Sequence, residues 1–128
     1  MSLSLLPLKE TYAVWQPPQD CAVDADRFKT CEFFTLCYTA DEVSVVCPVA
    51  NLPDDAPGAL EKPWRGFRVA GQLDFALVGI LAQISGVLAE HKISLFAIST
   101  FDTDYILVKE NDFANATKVL GETFVVGE

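Results

Sequence analysis

The chain changes its rhythm of apolar and polar positions along its length, and the second half carries the clearer signal. "RGFRVAG" (65–71) reads as a strand. "DFALVGILAQISGVLAEHK" (74–92) then shifts period, with apolar residues at Leu77, Ile80, Leu81, Ile84, Val87 and Leu88. That spacing lays the side chains along one face of a helix. Asp74 suits the start of the helix, and His91 and Lys92 suit its negative end. "ISLFAIS" (93–99) and "YILVKE" (105–110) predict two strands joined by "TFDTD" as a hairpin connection. "NDFANATKVLG" (111–121) sets Phe113, Ala116 and Leu120 on one side of a second helix, with Asn111 as cap and Gly121 as stop, and "TFVV" (123–126) gives a last strand. The order is βαββαβ, the ferredoxin-like arrangement of an antiparallel sheet with helices on one face.

The first half predicts strands at "SLSLLP" (2–7), "TYAVWQ" (11–16), "FFTLCYT" (33–39) and "VSVVCP" (43–48), the last two joined by the turn "ADE". Laying residues 34–47 over 96–109 without a gap puts Phe34 on Phe96, Glu42 on Asp104 and Val46 on Val108, a weak internal repeat. The first copy is abridged, because "PPQDCAVDADRFKTCE" (17–32) leaves room for only about two helical turns. "NLPDDAPGALEKP" (51–63), rich in Pro and Asp, predicts a connection between halves. The expected fold is therefore α+β, with tandem ferredoxin-like units. An abridged N-terminal lobe over 1–60 is fused to a complete C-terminal domain over 61–128.

Composition narrows the function classes. Apolar runs stop well short of the ~20 residues a bilayer span requires, and the first residues lack the basic and apolar regions of a secretion signal. A soluble cytoplasmic protein without membrane attachment is expected. Net charge is −9, and the nine basic residues are scattered, so no patch exists to neutralise phosphates and nucleic-acid binding is not expected. Cys21, Cys31, Cys37 and Cys47 fit neither a redox pair nor a zinc site, and Cys37 and Cys47 read as small buried strand residues. No metal and no cofactor is expected.

Nor does a catalytic constellation emerge. His91 stands at a predicted helix end, where complementing the dipole is its simplest role. Asp54 and Asp55 lie in a Pro-rich loop as turn residues. Asp102 and Asp104 form a carboxylate pair with neither a nucleophile nor a metal ligand beside it, so no catalytic residue is assigned and no enzyme is expected. Binding chemistry is better represented. The helix start at Leu77, Val78 and Gly79 offers unpaired N–H groups and a positive dipole end suited to a carboxylate. Gly79 would admit a ligand close to the backbone, or serve close packing of helix on sheet. Asp104 could accept an ammonium or guanidinium group, Thr100 supply a hydroxyl and Phe101 a wall, while Asp102 reads as a turn residue.

On these residues the chain resembles the ACT domain family, regulatory modules of βαββαβ fold that bind amino acids and similar effectors. "VGILAQISGVLAEHKIS" (78–94) is similar to the family's first helix and second strand; Gly79 matches the usual glycine and Val78 stands where proline is common. "CEFFTL" (31–36), "AEHKIS" (89–94) and "STFDTDYILVKEND" (99–112) resemble the small tandem ACT proteins related to the cytosolic arginine sensor of the TOR kinase pathway. The resemblance implies a ligand held between ACT units by Ser94 and Leu95, by Leu77, Val78 and Gly79, and by Thr100, Phe101 and Asp104. It also implies a homodimer, since the sensor carries twice as many units in one chain. Leu77 falls where the sensor has an acidic residue, so the second carboxylate for a guanidinium is missing. The resemblance thus leads to a non-enzymatic amino-acid-binding regulator, with an ACT-fold dimerisation or protein-interaction module as the alternative.

Overall fold

A computed structural model describes residues 4–70 and 79–127; the cap Asp74 and the candidates Leu77 and Val78 lie outside them. The chain is α+β, with a mixed sheet and two helices among the described residues. It divides into two compact units, one made of residues up to Leu8 together with those from Arg65 onward, the other of Lys9–Trp64.

In the unit from Arg65 onward, strand β5 (Ala59–Val69, of which 65–69 belong here) pairs with β7 (Asp104–Lys109), and β7 pairs with β6 (Leu95–Ser99). On its other side β5 pairs with β1 (Ser4–Pro7), Leu5 lying opposite Val69 and Pro7 opposite Phe67. The two-residue strand β8 (Val125–Val126) runs parallel to β1. In the expected βαββαβ sheet the last strand would lie against β5. Here β1 holds that position and β8 is displaced outward by one strand. Leu5 is fully buried in the core of the unit from Arg65 onward, so residues up to Leu8 cluster with that unit.

Helix α1 (Ile80–Glu90) buries Ile84 and Leu88, and α2 (Glu110–Leu120) buries Ala116, Val119 and Leu120, all against Phe67, Val69, Ile106 and Val108. Each such large aliphatic side chain contributes roughly 1.5–3 kcal/mol relative to an exposed one. Phe113 stacks on Phe67 at 5.1 Å, and the Arg65 guanidinium lies 4.3 Å from the Phe113 ring centre. Asn111 is not the cap of α2. The strand runs straight into the helix, so Lys109 takes the cap position without a side-chain bond, and Glu110 and Asp112 supply negative charge to the first turn. At the end of α1, Lys92 adopts the left-handed conformation (φ 60°), and the Ile93 amide donates to the Leu88 carbonyl at 2.9 Å. This turn carries the chain directly into β6.

The Lys9–Trp64 unit contains β2 (Tyr12–Gln16), β3 (Thr35–Tyr38), β4 (Val43–Pro48) and residues 59–64 of β5, in the order β3-β4-β2-β5. The stretch 51–63 is therefore a connection only as far as Gly58. Pro63 is accommodated in the strand where the β2–β5 register shifts between Tyr12 and Val14. Residues 17–32 form a single 3-10 turn, Ala25–Phe28, in which the Asp26 amide donates to Asp24 Oδ1 at 3.2 Å. Cys47 is buried, but Cys37 is exposed, because it lies near the outer end of the edge strand β3. Glu32 ties this loop to the strand, accepting bonds from the amides of Lys9 (2.8 Å) and Glu10 (3.1 Å) and from the Tyr12 hydroxyl (2.9 Å).

Candidate functional site

The hairpin between β6 and β7 concentrates the polar groups singled out in the sequence. Ser99 lies opposite Asp104, leaving Thr100–Thr103 as the connection. The Thr100 amide and hydroxyl both donate to the Thr103 carbonyl, at 2.8 and 3.1 Å, and the Thr103 amide donates back to the Thr100 hydroxyl at 3.4 Å. Thr103 is buried, and its hydroxyl donates to the Val69 carbonyl at 2.6 Å, fastening the hairpin to the end of β5. Asp104 is half-buried and accepts a 2.6 Å bond from the Ser99 hydroxyl on one carboxylate oxygen. Its other oxygen has no hydrogen-bond partner among the described residues. Phe101 is 77% exposed, and Asp102 is exposed in the turn.

The β3–β4 hairpin is closed in the same manner. The Thr39 amide and hydroxyl donate to the Glu42 carbonyl at 2.9 and 3.3 Å, and the Glu42 amide donates to the Thr39 hydroxyl at 3.0 Å. Matching these turns puts Thr39 on Thr100, Asp41 on Asp102 and Val43 on Asp104. The ungapped overlay that set Glu42 on Asp104 is therefore one residue out, since the turn fixes register and a one-residue slip exchanges the faces of a strand. With the turns matched, the buried Val43 of the first hairpin corresponds to the carboxylate Asp104 of the second.

The remaining candidates are more dispersed. Gly66 lies against the Ile106 carbonyl and the Thr103 hydroxyl bonds Val69, so β5 and β7 run antiparallel. β5 and β6 are then parallel, and α1 must return between them with its N-terminus toward the hairpin end. Gly79 caps that helix in the left-handed conformation (φ 83°), exposed and without a side-chain cap bond. An added Cβ would meet no described atom within 4 Å, so the glycine answers to backbone conformation rather than to close packing. Thr100, Phe101, Asp104 and Gly79 thus share one end of the unit. Ser94, exposed, and Leu95, half-buried, stand at the opposite end of β6, roughly 17 Å away at the rise of an extended strand. That is farther than one free amino acid reaches.

Sequence reasoning missed Ser99 and Thr103, which hold Asp104 and the turn; the Thr-x-Asp shared by both hairpins was the available signal. His91 sits at the α1 C-cap with Nδ1 3.0 Å from the Val87 carbonyl, engaged at the helix end. Among the described residues, no group of three or more His, Cys, Asp or Glu side chains is arranged to hold a metal ion. No described helix is long and apolar enough to cross a membrane.

Comparison with known proteins places this architecture. The model of the ACT domain matches residues 59–122, half of the chain. The chain belongs to the ACT domain family. Among curated ACT relatives, the cytosolic arginine sensor for mTORC1 subunit 1 of Bos taurus is 33% identical over 110 residues, and its Homo sapiens counterpart is 32% identical over 109. These alignments cover 81% and 80% of this chain but 33% of either sensor, so the chain spans about a third of the length of the curated relatives it matches. A crystal structure from Agrobacterium tumefaciens is similar over 100% of this chain and 96% of its own, with a TM-score of 0.82 and 26% identity. The aspartokinase alpha and beta subunits share the fold at a TM-score of 0.65 and 15% identity, over 96% of this chain and 98% of theirs.

Proposed function

We propose that this ACT protein is a non-enzymatic, cytoplasmic regulator that binds a free amino acid between ACT units and acts as a homodimer. The naming of its curated relatives as cytosolic arginine sensors supports the ligand class. The matching turns at Thr39 and Thr100 support the tandem ferredoxin-like reading, with 1–60 largely an abridged copy and 61–128 the complete one. The observation that carries the proposal is Asp104: a half-buried carboxylate at a position with an apolar counterpart, one oxygen held by Ser99 and the other without a partner among the described residues. It receives the ligand's cationic group. Phe101 covers the ligand, Thr100 acts by shaping the turn, and Gly79 at the start of α1 presents its amide to the ligand carboxylate. Ser94 and Leu95, at the far end of β6, contact the same ligand only from a second copy, which is why a dimer is part of the proposal. With Leu77 in place of an acid, a single carboxylate faces the cation, a weaker match to guanidinium than a carboxylate pair.

The test is thermal unfolding and calorimetry across the twenty amino acids at millimolar concentration. At least one raises the melting temperature, and Asp104→Ala lowers that shift. No response from any of them overturns the proposal. A second reading, an ACT-fold dimerisation or protein-interaction module without small ligand, draws on the Thr100 hydroxyl and one Asp104 oxygen being already engaged within the hairpin. Under it, no amino acid shifts the unfolding transition, and Asp104→Ala weakens only capture of a protein partner.

A further inference from the structure

The Lys9–Trp64 unit replaces packed helices with two loops, and the loops leave a cavity. Trp15, Phe28, Val45 and Cys47 form one buried cluster of this unit. Over them lie residues 21–28, with their single 3-10 turn, and the Pro-rich segment around 53–57. Each loop is latched. The Trp15 indole N–H donates to the Pro57 carbonyl at 2.8 Å, and Arg27 donates from Nε to the Asn51 carbonyl (2.7 Å) and from Nη2 to the Leu52 carbonyl (3.1 Å). Between the latched loops is a partly enclosed space of about 270 Å³, lined by Trp15 and Phe28 and by Asp24, Arg27 and Asp55.

The lining has a definite chemical bias. Arg27 is held in place by two of its nitrogens, and Nη1 bonds none of the described residues, so the guanidinium is oriented before any ligand arrives. Asp24 spends one oxygen on the Asp26 amide and keeps the other. Asp55 makes no hydrogen bond or ion pair among the described residues. Two carboxylates, a fixed guanidinium and an aromatic floor complement a molecule that carries an ammonium and a carboxylate on a compact apolar body. A cation over tryptophan gains further from the ring quadrupole. The volume falls at the small end of ligand sites, which suits a single amino acid and excludes a nucleotide.

The geometry points to a second small-ligand site in the Lys9–Trp64 unit, separate from the hairpin end of the ACT domain and selective for a small zwitterion, with Asp24 and Asp55 taking the ammonium, Arg27 the carboxylate and Trp15 the apolar body. It does not rest on the reading of Asp104. The chain has two tryptophans, so the Trp15 indole N–H gives one of two indole signals in a heteronuclear NMR spectrum. The experiment titrates the full chain with glycine, L-leucine and L-arginine, and with isoamylamine and 4-methylpentanoate, which carry only one of leucine's two charges. At least one of the three amino acids moves the Trp15 signal saturably at millimolar concentration. For leucine, both single-charge analogues bind at least about tenfold more weakly, the loss of one charge-assisted contact. Asp55→Asn, at an exposed residue that bonds none of the described residues, weakens the response by a similar factor without altering the unfolding transition, and Asp104→Ala leaves it unchanged. No saturable shift with any of the three amino acids overturns the proposal, as does a shift abolished by Asp104→Ala and indifferent to Asp55→Asn. A shift that persists when Asp104→Ala has lowered the melting-temperature response supports this site and separates it from the hairpin.

Discussion

Replacing Thr103 by valine preserves the shape of the side chain and deletes one hydroxyl. That hydroxyl donates to the Val69 carbonyl at 2.6 Å, from a side chain only 7% exposed. The bond joins the hairpin to the end of β5, so its loss leaves a buried carbonyl short of a donor. Such an orphaned acceptor costs about 1–3 kcal/mol, whereas the second methyl returns only a few tenths. For a chain of this length each kcal/mol lowers the melting temperature by roughly 4 °C, so Thr103→Val melts about 3–11 °C below the parent. Thr103→Ser supplies the control. It keeps the hydroxyl and loses one methyl, about 0.8 kcal/mol. Thermal and urea unfolding followed by circular dichroism rank the three proteins: parent, then Thr103→Ser, then Thr103→Val. If valine matches the parent while serine falls below both, the position is held by methyl packing, and the argument that the hydroxyl anchors the hairpin is refuted.

Gly66→Ala drives a Cβ into Leu107 and to within about 3 Å of the Ile106 carbonyl and the Leu8 side chain, and should cost about 1–3 kcal/mol by urea denaturation. Glu32→Gln weakens charge-assisted bonds from two amides and the Tyr12 hydroxyl; a loss of about 1–3 kcal/mol is expected, and Glu32→Asp, with a shorter reach, should not restore it. Burial pushes the Cys47 thiol from its ordinary 9.0 up to about 12, and burial and then Glu32 push the Tyr12 phenol upward as well. In the unfolded chain both groups ionise first as pH rises, so the folded state binds more protons and stability falls from about pH 9 upward. The slope is at most about 1.4 kcal/mol per pH unit per group, read from urea midpoints between pH 8 and 11. By the same burial, iodoacetamide at mildly alkaline pH should label exposed Cys37 well before Cys47, a ranking that peptide mass spectrometry checks.

Local pattern reached the elements and not their partners. The helical period around Ile84 and Leu88 and the strand runs at 43–48 and 95–99 are properties of adjacent residues, and the structure contains them with small shifts at their ends. The pairing of Leu5 with Val69 is a property of residues sixty apart, and nothing in "SLSLLP" states which sheet it joins. Pro63 made 59–63 look like a loop because proline usually interrupts strands; the register shift opposite it is visible only once β2 is in place. The candidate residues divide along the same line. Thr100, Phe101 and Asp104 are close in sequence and remain together in space, whereas Ser94 was grouped with them by resemblance and stands at the other end of its strand. The roles of Thr39 and Thr100 depend on hydrogen bonds within each turn, and these set the repeat one residue away from the ungapped overlay.

The placement of β1 also has a consequence in time. During synthesis residues 4–7 emerge well before their partners at 67–69, and β8 can dock on β1 only after residue 126 has been made. The Lys9–Trp64 segment, whose β2–β4 pairs close within its own length, can fold while Leu5 and Leu6 are still unpaired. Those leucines then spend the interval as an apolar strand with an open edge, the kind of segment that binds chaperones or a neighbouring chain. Closing loops that span most of the chain slows the final step relative to the local hairpins. A protein cut to the matched span 59–122 would lack this strand altogether and leave one edge of β5 uncovered, so such a fragment is expected to aggregate through that edge more readily than the full chain.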